Sequence, residues 1–233
     1  TGVYVDSTII EGIQLPDFSH FNFYIAKYNS SGTIIWVKGI GGSGWDDSYS
    51  MAIDQNDNII VTGFFKNDTL DFGSGNFLYP QLYGDNIFVA KFNSAGVFQW
   101  AQCAYSDPVS SMMRSNFVTT DLANNIYIAG MYEGNGHFGS VSTSYAFSNI
   151  FIAKYDANGN INWVRNGECS LGMGWQDNFI NGLVIDSNQQ IYATGKVSDK
   201  VTFNGITYLT SQHDGQIITF KMDAAGNIDW IQS

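Results

Sequence analysis

An indole beside a carboxylate recurs in two segments of this chain. Gly42-Ser-Gly-Trp45-Asp46-Asp47 is matched by Gly172-Met-Gly-Trp175-Gln176-Asp177. An exposed Trp with a neighbouring Asp can stack on the apolar face of a sugar and accept its hydroxyls. The other reading is structural: the Trp plugs a gap between sheets and the Asp accepts turn N–H groups. Asp46 and Asp47 could also give oxygen ligands to a hard cation. The clusters 54–58 and 156–160 resemble part of a calcium loop. They lack its central Gly and distal bidentate Glu, so ordinary turn chemistry accounts for them. Glycoside hydrolysis would need two carboxylates at a set separation. Asp46, Asp85, Asp177 and Asp214 would have to meet in one axial pocket to supply them. His20, His137 and His213 fall at unmatched positions, and no P-loop, dinucleotide fingerprint, HExxH or CxxC is present. No cofactor is expected.

The elements that must position these groups announce themselves by repetition. Asn22-Phe-Tyr-Ile-Ala-Lys27-Tyr-Asn-Ser-Ser-Gly32-Thr-Ile-Ile-Trp36 returns at 86–100, 149–163 and 216–230. Trp36, Trp100, Trp163 and Trp230 share that spacing with Lys27, Lys91, Lys154 and Lys221. A period this long marks a repeated structural unit. Each unit reads as two hairpins with four strands, a to d. In the second unit these are 48–54, 59–65, 87–92 and 97–101, and Gly96, like Gly32, Gly159 and Gly226, stands where a hairpin needs a positive φ. No stretch has a helical period. Four antiparallel strands per unit is the plan of a β-propeller blade, so the fold class expected is all-β, with the tryptophans packed between blades. The units run 1–39 (partial), 40–103, 104–166 and 167–233. Thr1-Gly2 aligns with Thr62-Gly63, Ala129-Gly130 and Thr194-Gly195. The expectation is about three and a half blades of a larger propeller whose remaining blades would be partners.

Composition narrows the function. Aromatics make up 15% and charged residues only 13%, with a net charge of -11. No basic patch for nucleic acid follows from this, and there is no run of 18 apolar residues to insert in a membrane. The c-strand lysines should meet structural partners, for which Asp54, Asp121 and Asp186 are candidates. Cys103 and Cys169 follow strand d of consecutive units. They are either bridged or two free, half-buried thiols, depending on whether their Cα atoms come within about 7 Å.

The residues Asn149-Ile-Phe-Ile-Ala-Lys-Tyr-Asp156 to Trp163, then Ile185-Asp186 to Thr194-Gly195, resemble the seven-bladed β-propeller repeat family, the SBBP repeats. The likeness covers essentially the whole chain. It implies a bacterial secreted or surface location, as in Bacteroidetes proteins exported by the type 9 system, and carries no activity. Ser7 and Thr69 fit a short O-glycosylation pattern of such proteins. The c–d hairpin departs from the sialidase Asp-box in spacing, which speaks against that family.

The a–b and c–d turns are short and the b–c and d–a connections long, so a binding surface belongs on the long-loop face. The expected function is a non-enzymatic extracellular module presenting that face to glycan or protein. Trp45, Asp46, Tyr83, Tyr145, Trp175 and Asp177 are the candidate binding residues. A glycosidase or lyase and a passive structural passenger are the alternatives.

Overall fold

The computed structural model describes residues 1–107, 112–144, 146–169, 178–198, 200–209 and 215–233. They form an all-β, propeller-like stack of antiparallel sheets. Blade 1 has three strands, Gly2–Val5 (b), Phe21–Tyr28 (c) and Ile34–Ile40 (d). Blade 2 runs Trp45–Ile53 (a), Ile59–Lys66 (b), Asp85–Phe92 (c) and Phe98–Asp107 (d). Blade 3 has Met113–Thr120, Ile126–Phe138, Ala146–Tyr155 and Ile161–Cys169. Blade 4 has Phe179–Ile185, Ile191–Val197, Gln216–Met222 and Ile228–Gln232. Gly2 pairs with Tyr24 as Gly63 pairs with Phe88, so the first strand is indeed a strand b. Strand d runs a few residues past the expected unit limits of 39, 103 and 166.

Period-two alternation divides strand c between two layers. Phe23 and Ile25 of blade 1 pack with Phe88, Ala90 and Phe92 of blade 2. Ile87 and Val89 pack with Phe151, Ala153 and Tyr155 of blade 3. Ile150 and Ile152 pack with Ile218, Phe220 and Met222 of blade 4. The core is therefore three inter-blade layers, all built on one rule.

The turns also follow one rule. In each a–b and c–d turn the first Asx side chain accepts N–H bonds from residues two and four places on. Asp54 does so from Asn56 and Asn58, both at 2.9 Å, and Asn29, Asn93, Asp121, Asp156, Asp186 and Asp223 repeat it. The calcium-like clusters at 54–58 and 156–160 are thus Asx turns, their oxygens already engaged. The fourth turn residue takes a positive φ in both turn types. It is Asp57, Asn124 or Gln189 in a–b turns, and Gly32, Gly96, Gly159 or Gly226 in c–d turns. The difference has a steric cause. A Cβ on Gly96 would come within 3.1 Å of the Trp36 ring, and one on Gly159 within 2.9 Å of the Trp100 ring. The indole of one blade covers the c–d turn of the next, so only there must the residue be glycine.

The lysines reinforce the same joints. Lys91 pairs with Asp54 at 2.8 Å and also donates to the Ala157 carbonyl in the next blade's turn. Lys154 lies 4.0 Å from Asp121. Lys27 donates to the Ser94 carbonyl at 2.8 Å. Lys221 instead pairs with Asp229 at 2.9 Å, so Asp186 is not its direct partner.

The long b–c connections are not free loops. Those of blades 2, 3 and 4 each fold a small hairpin whose first strand meets the end of strand d of the preceding blade. Asp71 bridges Gly41, the run 135–138 pairs with 104–107, and Val201 and Thr202 pair with Cys169 and Glu168. The long-loop face is thus laced across every described junction.

Candidate functional site

The innermost strand of each four-stranded blade is broken at the same point. Ser48 and Ser50 flank a bulge opposite Gly63, Ser115 and Phe117 one opposite Gly130, and Ile180 and Gly182 one near Gly195. The Thr/Ala-Gly landmark of the repeat makes this possible. A Cβ on Gly63 or Gly130 would lie 1.9 Å from the carbonyl oxygen of Asp47 or Arg114, and one on Gly195 2.2 Å from that of Phe179. Strand a can kink onto strand b only where there is no side chain. The extra residues of the bulges are Tyr49, Asn116 and Asn181. A bulge re-aims its side chain, and all three line one cleft of about 390 Å3 with Arg114, Met131 and Phe179. That volume suits a small ligand.

Arg114 anchors the wall. Its Nη1 bonds Asp85 Oδ2 and donates to the Met113 carbonyl at 3.0 Å, and the guanidinium lies 3.8 Å above the centre of the Phe64 ring. Lys66 Nζ reaches the other Asp85 oxygen at 3.3 Å. Tyr49 leans on Phe64 with ring centres 5.6 Å apart and stays 42% exposed. Burial pushes both the Asp47 carboxyl and the Tyr49 hydroxyl up, and the Arg114 charge opposes this in each case. The cleft therefore offers an aromatic face, two side-chain amides and an arginine held by its own counter-ion.

The residues expected from sequence do not gather at this cleft. Trp45, Asp46 and Asp47 belong to strand a rather than a loop, and neighbours in a strand point to opposite sides. Trp45 is 57% exposed and meets Phe21 edge-on at 5.7 Å. Asp46 is 1% exposed, and neither oxygen has a hydrogen-bond partner. Burial is the main reason its carboxyl is pushed up to about 7; the Gly42 and Lys66 amides oppose that without closing a bond. The indole and carboxylate thus make no joint site. Nor can Asp46 and Asp47 share a cation, because Asp47 turns toward Arg114 and Asp46 toward Tyr4 and Asp68. Among the described residues no group of three or more His, Cys, Asp or Glu could hold a metal ion. The glycines of the Gly-x-Gly-Trp motif serve close packing: a Cβ on Gly44 would meet the Lys66 carbonyl at 2.1 Å.

Tyr83 is 74% exposed in the 79–84 segment and does not line the cleft. Tyr145, Trp175, Asp177 and Asp214 lie outside the described residues. Ser7 is exposed and Thr69 half-buried. Cys103 and Cys169 are free thiols in different layers, Cys103 against the blade 1–2 core and Cys169 within the blade 3–4 core, so no bridge joins them. Burial pushes both thiols up to about 12, which leaves them unreactive. His137 pairs with Asp107 at 3.0 Å, a contact inside a clasp.

Sequence reasoning missed Tyr49, Asn116, Asn181 and Arg114. The signal was available: the first three each stand five residues before a landmark Asp (Asp54, Asp121, Asp186).

No family model matches the chain. An uncharacterized WD repeat-containing protein of Acanthamoeba polyphaga mimivirus is 31% identical over 159 residues, which cover 60% of this chain and 11% of that protein. The chain thus spans about a tenth of the relative's length, and the likeness is to a propeller-type repeat protein, in keeping with the blades described above.

Proposed function

We propose that this chain is a non-enzymatic binding module of the SBBP repeat kind, extracellular or on a bacterial surface, whose ligand seat is the axial cleft. The observation that carries this reading is the delivery of Tyr49, Asn116 and Asn181, three repeat-equivalent bulge residues, to one cleft of ligand size. Glycan suits that seat: Tyr49 supplies a stacking face, and the asparagine amides donate to and accept from hydroxyls. An enzymatic role has less support. Asp46 and Asp47 diverge, and Asp85 is held by Arg114 and Lys66.

A glycan array of the chain tests the reading, followed by titration calorimetry of Tyr49→Ala and of an Asn116→Ala/Asn181→Ala double variant. Both should lose the glycan at least about tenfold, the scale of a hot-spot contact. Trp45→Ala should keep it. Glycan binding that survives both cleft variants but is lost with Trp45→Ala would move the seat to the rim. An array with no glycan bound would reject the glycan reading.

A further inference from the structure

A second pocket, of about 320 Å3, opens on the long-loop face where blades 1 and 2 meet. Among the described residues it has no lining residue in common with the axial cleft. Trp45 and Lys66 stand opposite each other on strands a and b, so the indole and the ammonium are neighbours in its wall. The indole is braced edge-on by Phe21 and more than half exposed. Lys66 reaches Asp85 at 3.3 Å, but Arg114 already holds the other oxygen of that carboxylate. Two cations thus share one anion, and the Lys66 side chain stays 44% exposed. Asn67 offers its Oδ1 to the Gly84 N–H at 2.9 Å, which leaves its Nδ2 group to donate. The lining carboxylate, Asp68, is engaged by Ser43. The Ser43 N–H bonds its Oδ2, and the Ser43 hydroxyl donates to the same oxygen at 2.6 Å. The pocket therefore sets an aromatic face beside donors that outnumber the acceptors left for them.

We infer that this rim pocket is a separate site for a carboxylated sugar, a pyranose bearing an acid group as uronic and sialic acids do. The apolar face of the ring stacks on Trp45, the carboxylate takes the Lys66 ammonium, and the Asn67 amide donates to a neighbouring oxygen. Arg114 is what frees Lys66 for this. Lys66 and Asp85 are direct strand neighbours and would otherwise close on each other, but Arg114 already supplies that carboxylate with a cation. An uncharged sugar would leave the Lys66 charge without a second anion, and a cationic guest would meet that ammonium head-on. The inference does not rest on the cleft reading. The two pockets take ligands of different charge, and either can fail with the other intact.

Titration calorimetry of the chain with digalacturonate and with 3′-sialyllactose provides the test, each beside its uncharged counterpart, carboxyl-reduced digalacturonate and lactose. At least one acid should bind at least about tenfold tighter than its counterpart, and added salt should shrink that preference. The two arms tell whether the carboxylate comes from a uronate or a sialate. Lys66→Met should erase the preference and Lys66→Arg should keep part of it, while Trp45→Ala should weaken acid and counterpart alike. Asp85 retains Arg114 in the lysine variants, so near-UV circular dichroism should be unchanged. Asn67→Asp is the finer probe. It keeps an oxygen for the Gly84 N–H and suits the positive φ of that residue, yet it puts an anion where a donor stood. It should cost the acid at least about tenfold. Failure of both acids to bind overturns the inference. So does an acid bound no tighter than its counterpart, or a preference that either Lys66→Met or Asn67→Asp leaves intact.

Discussion

Replacing Gly130 by Ala tests the bulge on which the candidate site depends. The new methyl carbon would lie 1.9 Å from the Arg114 carbonyl oxygen and 3.0 Å from the Ser115 Cα, both backbone atoms that cannot rotate aside. Gly130 has no positive φ, so contact alone sets the cost. Strand a must move off strand b by more than an ångström, and overpacking of that kind costs about 1–3 kcal/mol. For a chain of this size each kcal/mol lowers Tm by about 2–4 °C, so a fall of about 2–12 °C is expected. The moved segment carries Arg114 and Asn116, so glycan affinity should fall along with stability. Differential scanning calorimetry gives the first readout and titration of the array-identified glycan the second. Gly205→Ala is the control. That residue has φ +80 and nothing near its Cβ position, so it should cost only about 1 kcal/mol of backbone strain. If Gly130→Ala melts no lower than Gly205→Ala, the close approach is not what requires glycine in the repeat.

Three further outcomes are expected. The folded Asp46 carboxyl titrates near 7, so the native state keeps a proton that the unfolded chain releases near the ordinary value of 3.8. Its contribution is intact at low pH and lost as pH rises through about 7, by up to about 4 kcal/mol, and Asp46→Asn should remove that slope in urea unfolding between pH 4 and 8. Lys91→Met leaves the fully buried Asp54 carboxylate without its cation and should cost about 3 kcal/mol by denaturant midpoint, whereas Lys221→Met, on a more exposed pair, should barely shift it. Trp100→Ala uncovers the Gly159 turn and breaks the Trp100 Nε1 bond to the Ala157 carbonyl, for a cost of about 3–5 kcal/mol; Trp230→Ala should leave the monomer's Tm nearly unchanged.

Much of the scaffold was legible because its landmarks are local. The Asx-x-x-Gly turns, the alternating strand c and the Lys–Asp partnership of Lys91 and Lys154 all rest on residues whose spacing expresses their roles. What escaped is what the backbone does between segments distant in sequence. The clasps at 70–78, 135–142 and 200–209 read as polar loops, because a two-to-four-residue strand against a neighbouring blade leaves no periodic trace. Trp45-Asp46-Asp47 read as a loop because adjacent polar residues hid the start of a strand that buries Asp46 and Ser48 on one side and exposes Trp45 and Tyr49 on the other. The bulge was invisible for a different reason: it is a property of a glycine in strand b, while the side chains it re-aims sit in strand a.

That separation bears on how such a site can vary. The glycines that create the bulge are fixed because any Cβ there would come within about 2 Å of a carbonyl oxygen, so their substitution costs stability. The side chains they release, Tyr49, Asn116 and Asn181, are 42% exposed, half-buried and exposed, so changing them need not disturb an inter-blade layer. Blade 2 spends its bulge on an aromatic and blades 3 and 4 on amides. Scaffold and recognition are thus encoded in different strands of one hairpin. Exchanging the three cleft residues should therefore redirect binding at a stability cost within about 0.5 kcal/mol, typical of surface substitutions. A chain that unfolds when Asn116 and Asn181 are exchanged for aromatics would show that the cleft is part of the core after all.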